Sequence, residues 1–105
     1  MLAMIDYRQQ VNFFIKIDMN LEELKNKQIA QMTAKGCLPK DEKEVILHLV
    51  EEVGEVCEAI REHQDKEDFE NEIADVLWQL NKLCWLHKIN LEDVFVKKLE
   101  KNEQR

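Results

Sequence analysis

Glu52 and Glu55, and Glu72 and Asp75, form two pairs of carboxylates, each pair three residues apart. On a helix that step brings both side chains within reach of one cation. Oxygen donors of this kind select magnesium or manganese rather than zinc. A bound divalent ion lowers the pKa of a coordinated water, and a neighbouring free carboxylate accepts its proton. No GxxxxGK segment occurs, and Gly36 and Gly54 are isolated, so phosphates would be held through cations and a few basic side chains. Other metal chemistries lack their ligands: there is no HExxH. The residues three before His48, His63 and His87 are Val45, Ile60 and Cys84, so the Glu-x-x-His pairs of a di-iron bundle are missing.

The first pair belongs to a helix for which Asp41 reads as the N-cap, Glu44 completes a capping-box-like pattern, and the end falls near Gln64. Its residues Ile46, Leu49, Val50, Val53, Val56, Cys57 and Ile60 gather on one stripe expected to face the core. Glu52 and Glu55 fall on the flank and back of that stripe, with Glu51 and Glu58 near Glu55. A solvated acidic face has the same pattern, so this helix alone does not decide. His48, one turn before Glu52, either orients it or is an ordinary surface or packed histidine.

The second pair lies on a helix expected from Phe69 to about Lys88, with possible caps at Asp65 and Asp68. Ile73, Leu77, Leu80 and Cys84 form one apolar face, and Ala74, Trp78 and Trp85 another, so this helix is expected to be central and buried on two sides. Glu72, Asp75, Gln79 and Lys82 form the polar stripe between them. Carboxylates on a buried helix are costly unless paired or metal-bound. Two simpler explanations compete: Glu72 in a first turn capped by Asp68, or neutralisation by Lys82 or an arginine. Asp75 is too deep for the first.

The remaining elements follow the same pattern. Met1 to about Lys35 predicts one or two helices, with Val11, Phe14, Ile15, Leu21, Leu24 and Ile29 at mostly helical intervals and an interruption near Asp18 to Asn20. Gly36 suits a helix C′ position and Pro39 a non-helical entry. Asn90 caps a last helix from Leu91, with Asp93 in its first turn, and the charged segment 97–105 is a tail that frays or closes over a site. Two Gly and one Pro are too few for the turns of a β-rich fold. The expected fold is all-α, a four- to five-helix bundle in a single domain over 1–105, residues 1–20 being an extension of unknown role. A short helical chain apolar on several faces is expected to oligomerise.

The net charge of −7 disfavours nucleic-acid binding, which needs clustered Lys and Arg. It would also repel a triphosphate unless divalent cations intervene. Three widely spaced cysteines, Cys37, Cys57 and Cys84, without a CxxC pair, read as reduced intracellular thiols, Cys57 and Cys84 as small core residues. With no apolar run near the roughly 20 residues of a membrane span, a soluble cytoplasmic protein is expected.

Glu51-Glu52-Val53-Gly54-Glu55, followed by Glu72-Ile73-Ala74-Asp75-Val76-Leu77, resembles the EExxE…ExxD signature of MazG-like all-α NTP pyrophosphohydrolases. The flanks Leu49-Val50, Val56-Cys57-Glu58-Ala59-Ile60-Arg61 and Ile89-Asn90-Leu91-Glu92-Asp93-Val94 are similar to the same family. The resemblance covers about 41–105, more loosely Leu21 to Gly36, and not residues 1–20. It implies a Mg²⁺-dependent enzyme, Mn²⁺ being a substitute, that cleaves a nucleoside triphosphate to a monophosphate and pyrophosphate, often to remove unwanted nucleotides. It implies that Glu52, Glu55, Glu72 and Asp75 are metal ligands and Glu51 an outer ligand or the catalytic base. Lys82, Lys98, Asn102 and Arg105 are weaker candidates for substrate contacts. A homodimer, or a homotetramer built from dimers, is implied as well. The alternative is a non-catalytic helical protein that senses nucleotides or oligomerises on the same fold.

Overall fold

Each helix begins where a short polar side chain can accept a bond from the free N–H groups of a first turn. In the computed structural model, which describes residues 19–105, Asn20 accepts from the Glu23 N–H at 2.9 Å and opens α1 (Leu21–Ala34). Asp41 accepts from the Lys43 N–H at 3.0 Å and opens α2 (Glu42–Arg61). Asp65 accepts from the Asp68 N–H at 2.9 Å and opens α3 (Lys66–Leu86), and Asn90 accepts from the Asp93 N–H at 3.1 Å and opens α4 (Leu91–Glu103). The described residues are thus all-α, with no strand. None of their helices is long and apolar enough to cross a membrane. Asn20, within the expected interruption, caps α1, whereas Asp18, Val11, Phe14, Ile15 and the possible fifth helix lie outside the described residues.

Because Asp65 rather than Asp68 is the cap, α3 starts three residues earlier than Phe69, and Glu72 lies beyond the first turn where the dipole would explain it. Its last residue is Leu86 rather than Lys88, and α2 stops at Arg61 rather than near Gln64. Both differences come from the same terminating device. Gly36, His63 and Lys88 all have left-handed backbone, with φ of 67°, 54° and 56°. The following N–H groups, of Cys37, Gln64 and Ile89, reach back to the carbonyls of Met32, Ala59 and Cys84 at 2.9, 3.1 and 2.8 Å. This double-bonded C-cap is easiest for glycine, and sequence patterns do not announce it when His or Lys takes the position. His63→Gly and Lys88→Gly are each expected to stabilise the fold by about 1 kcal/mol, read as a higher denaturation midpoint.

α2 and α3 form an antiparallel pair joined by the short connection 62–65, and α1 packs across α3 and α4. Val45 and Ala59, each 2% exposed, and the half-buried Leu49, Glu52 and Val56 form the α2 face that meets α3. Much of the stripe expected to face the core is therefore exposed: Ile46, Val50, Val53 and Ile60 lie between 41% and 64%, and Cys57 is exposed too. The two stripes are offset by one residue, about 100° around the helix, and both are apolar. One neighbouring helix covers only one of them.

α3 contacts both α1 and α2, as its two-faced pattern predicts, but its cover is incomplete. Cys84 and Asn81 are buried, while Ile73, Leu77 and Trp78 are exposed. Polar side chains hold α1 to its neighbours. Asn81 Nδ2 donates to Gln28 Oε1 at 2.9 Å, and Gln28 Nε2 donates to the Trp78 carbonyl at 2.9 Å. Lys25 Nζ pairs with Glu22 at 2.9 Å and donates to the Ile89 carbonyl at 2.9 Å, which satisfies a buried ammonium. The Leu21 N–H donates to Glu92 Oε1 at 3.2 Å, tying the start of α1 to the first turn of α4.

Candidate metal centre

The antiparallel register determines which carboxylates meet. Glu42 and His87 touch at 2.6 Å near one end, Val45 and Lys82 line one cleft a turn further in, and Ala59 and Phe69 line another near the connection. In every case the two residue numbers sum to about the same value, and the same sum pairs Glu52 with Asp75 and Glu55 with Glu72. The carboxylates of Glu52, Glu72 and Asp75 accordingly converge, each offering an oxygen within 4.8 Å of the others. Glu55 is not part of that mutually close set, although its charge acts on both Glu52 and Glu72.

Burial first, then the charges of Asp75, Glu55 and Glu51, hold the Glu52 carboxyl above its usual range, with His48 pulling the other way. Glu72 is raised by burial first and then by Glu55, Asp75, Glu52 and Asp68. The half-buried Glu52 and Glu72 and the exposed Asp75 repel one another at this separation, and a cation between them would relieve that repulsion. The protein's own bases do not supply it: among the described residues no Lys or Arg forms an ion pair with Glu52, Glu55, Glu72 or Asp75. Lys82, which with an arginine was the alternative to a metal as the neutralising partner, lies two turns beyond Asp75, in a cleft with Cys37, Leu38, Pro39, Lys40, Asp41 and Glu44. The donor set is all oxygen, partly shielded from water and short of positive charge, and it fits a hard divalent ion.

The other expected site residues sit apart from this cluster. Glu51 is exposed and lies 3.5 Å from Nδ1 of His48, whose Nε2 is 3.6 Å from Glu44. His48 thus lies along its own helix, within reach of these two glutamates. Lys98, Asn102 and Arg105 are exposed on or just after α4, which packs on α1 and not along α2. The tail is helical to Glu103. Gln79, one turn after Asp75 on the same stripe, has a buried Oε1 with no hydrogen-bond partner. Its i+4 spacing was the only sequence signal for it.

Residues 40–105 match the family model of the MazG nucleotide pyrophosphohydrolase domain, which is more than half of the chain. The chain belongs to the MazG family. The match starts one residue before the cap of α2 and takes in all four acidic positions, whereas α1, loosely likened to the family's first helix, lies outside it. No curated protein and no solved structure matches the chain significantly. Membership in the MazG family joins a nucleotide pyrophosphohydrolase fold to the acidic seam between α2 and α3.

Proposed function

We propose that the protein is a Mg²⁺-dependent nucleoside triphosphate pyrophosphohydrolase, with Mn²⁺ as a substitute ion. The observation that carries this reading is the convergence of Glu52, Glu72 and Asp75 across the α2–α3 seam, within the MazG match. These three, with Glu55 alongside, would hold the metal, which supplies charge neutralisation at the phosphates and an acidified water. Glu51 is exposed and uncommitted to the cluster, so it is the carboxylate free to accept the water's proton. In the balanced reaction one water is consumed and the phosphoanhydride bond between the α and β phosphorus atoms breaks. A nucleoside monophosphate and pyrophosphate leave, and the proton passes first to Glu51. Lys82, Lys98, Asn102 and Arg105 are the proposed phosphate or nucleotide contacts, the last three from the exposed surface of the C-terminal helix and its end.

The exposed apolar residues of α2, α3 and α4, among them Val50, Ile60, Ile73, Phe95 and Leu99, support a homodimer or a tetramer of dimers. Light scattering that finds only monomer at micromolar concentration would remove this part. A cytoplasmic, single-domain enzyme that does not bind nucleic acid completes the proposal.

The test is a panel of ribo- and deoxyribonucleoside triphosphates, incubated with the purified protein and Mg²⁺. Pyrophosphate and the matching monophosphate are expected from at least one member. Release no greater than that of an Asp75→Asn control across the whole panel would reject the proposal.

A further inference from the structure

We infer that the cleft between α1 and α3 is a docking groove for the chain's own residues 1–18, which fold back on α1 and seat the stripe Tyr7, Val11 and Phe14 there. The cleft is open and measures about 300 Å³. Its α3 wall is Ala74, Leu77 and Trp78. Ala74 and Trp78 belong to the second apolar face of α3, and α1 leaves that face partly uncovered: Trp78 is 38% exposed, and Leu77 beside it 39%. Its α1 wall is Leu24, Lys27, Gln28 and Gln31, all on one side of that helix. Apolar groups gathered in an exposed groove mark a surface that takes a partner.

The point of attachment favours this occupant over a second copy. Met19 and Asn20 lead directly into α1, and Leu24, at one end of the cleft, stands a single turn beyond the start of that helix. A reversal over 18–20 has a length that commonly joins two antiparallel helices. It brings Phe14 level with Leu24, Val11 with Lys27 and Tyr7 with Gln31. The spacing agrees: Tyr7, Val11 and Phe14 follow at four and three residues, the mirror of Leu24, Lys27 and Gln31 at three and four. Arg8, Asn12 and Lys16 fall away from that stripe on the same helical projection. A segment tethered this closely reaches an effective concentration on the order of millimolar, far above that of a second chain in a micromolar solution. Residues 1–18, outside the family match, thereby gain a place against the helix that carries Glu72 and Asp75.

The test is solution NMR on the full chain, with labelled protein diluted into an excess of unlabelled protein. Contacts from the Phe14 ring to Leu24, Leu77 or the Trp78 indole within one labelled chain are expected. Phe14→Asp is expected to abolish them, to shift the Trp78 indole resonance and to lower the midpoint of thermal unfolding by about 5–10 °C. Phe13→Asp makes the same change about 100° away from the stripe and is expected to leave the Trp78 resonance in place. Contacts found only between labelled and unlabelled chains would overturn the inference and put a second copy in the cleft. Absence of any such contact in the wild type, or equal Trp78 shifts in both variants, would overturn it outright. The wild-type measurement decides the matter even where a variant fails to fold.

Discussion

Asp75→Asn is expected to lower kcat/KM for nucleoside triphosphate hydrolysis by about 10³-fold or more, the loss of roughly 4 kcal/mol of transition-state stabilisation. Asn preserves the shape of the side chain but removes one of three mutually close carboxylate charges, at the position where α3 faces Glu52. Without that charge the ion is held less firmly and the phosphates keep more of their repulsion from the remaining carboxylates. The circular dichroism spectrum and melting cooperativity should be those of the wild type, since the change relieves repulsion rather than opening a cavity. Activity within about tenfold of wild type at saturating Mg²⁺ would show that Asp75 is not a ligand of the catalytic ion. Glu51→Gln serves as a contrast: it should depress turnover while leaving Mn²⁺ affinity nearly unchanged, because Glu51 is the proposed proton acceptor and lies outside the converging set.

The second large effect is a reversal in stability. Burial and neighbouring carboxylates raise the Glu72 pKa above its usual 4.5, so the folded chain holds that proton more tightly than the unfolded chain does. Its stabilising contribution is therefore complete below the ordinary carboxylate value and is lost as pH rises through the raised one. Glu52 behaves in the same sense. In the metal-free protein, Glu72→Gln, which mimics the protonated form, should match wild type near pH 4 and melt higher than wild type at neutral pH. Divalent ions invert the order. At a concentration about 100 times Kd, binding adds roughly 2.7 kcal/mol to wild-type stability, an upward shift on the order of 10 °C for a chain of this size. The variant should gain much less, and the wild-type gain should grow with pH as protons cease to compete for the carboxylates. Scanning calorimetry with EDTA or Mg²⁺, between pH 4 and 8, reads all of these differences. A variant that melts below wild type at neutral pH in EDTA would show that Glu72 is stabilised by a partner within the fold and is no metal ligand.

Local signals were sufficient for much of the fold. Asp41 and Asn90 act as caps because a short side-chain acceptor before an apolar run satisfies N–H groups that nothing else can reach, and Gly36 ends α1 because its φ of 67° suits glycine. The ends of α2 and α3 were less legible. His63 and Lys88 adopt the left-handed conformation only because the surrounding bonds and packing hold them there. The acidic positions were readable from spacing, since three-residue steps on adjacent helices leave few places for the side chains to go. Gln79 was readable as a member of the polar stripe, but not as the owner of an unpartnered buried acceptor.

What the sequence determined alone is the all-helical class of the described residues, the helix starts after Asn20, Asp41 and Asn90, and the resemblance of residues 41–105 to the MazG family, because each depends on residues close together along the chain. Tertiary structure decided which face of each helix is inside. On α2 the stripes through Val45 and through Val50 are both apolar, and only the docking of α3 selected the first for burial. The same docking turned Glu52 inward to meet Glu72 and Asp75, left Glu55 outside the closest set, and carried Lys82 to a different cleft. Helical periodicity determines the angle between side chains on one helix, but the rotation and register of one helix against another depend on contacts between residues far apart in sequence.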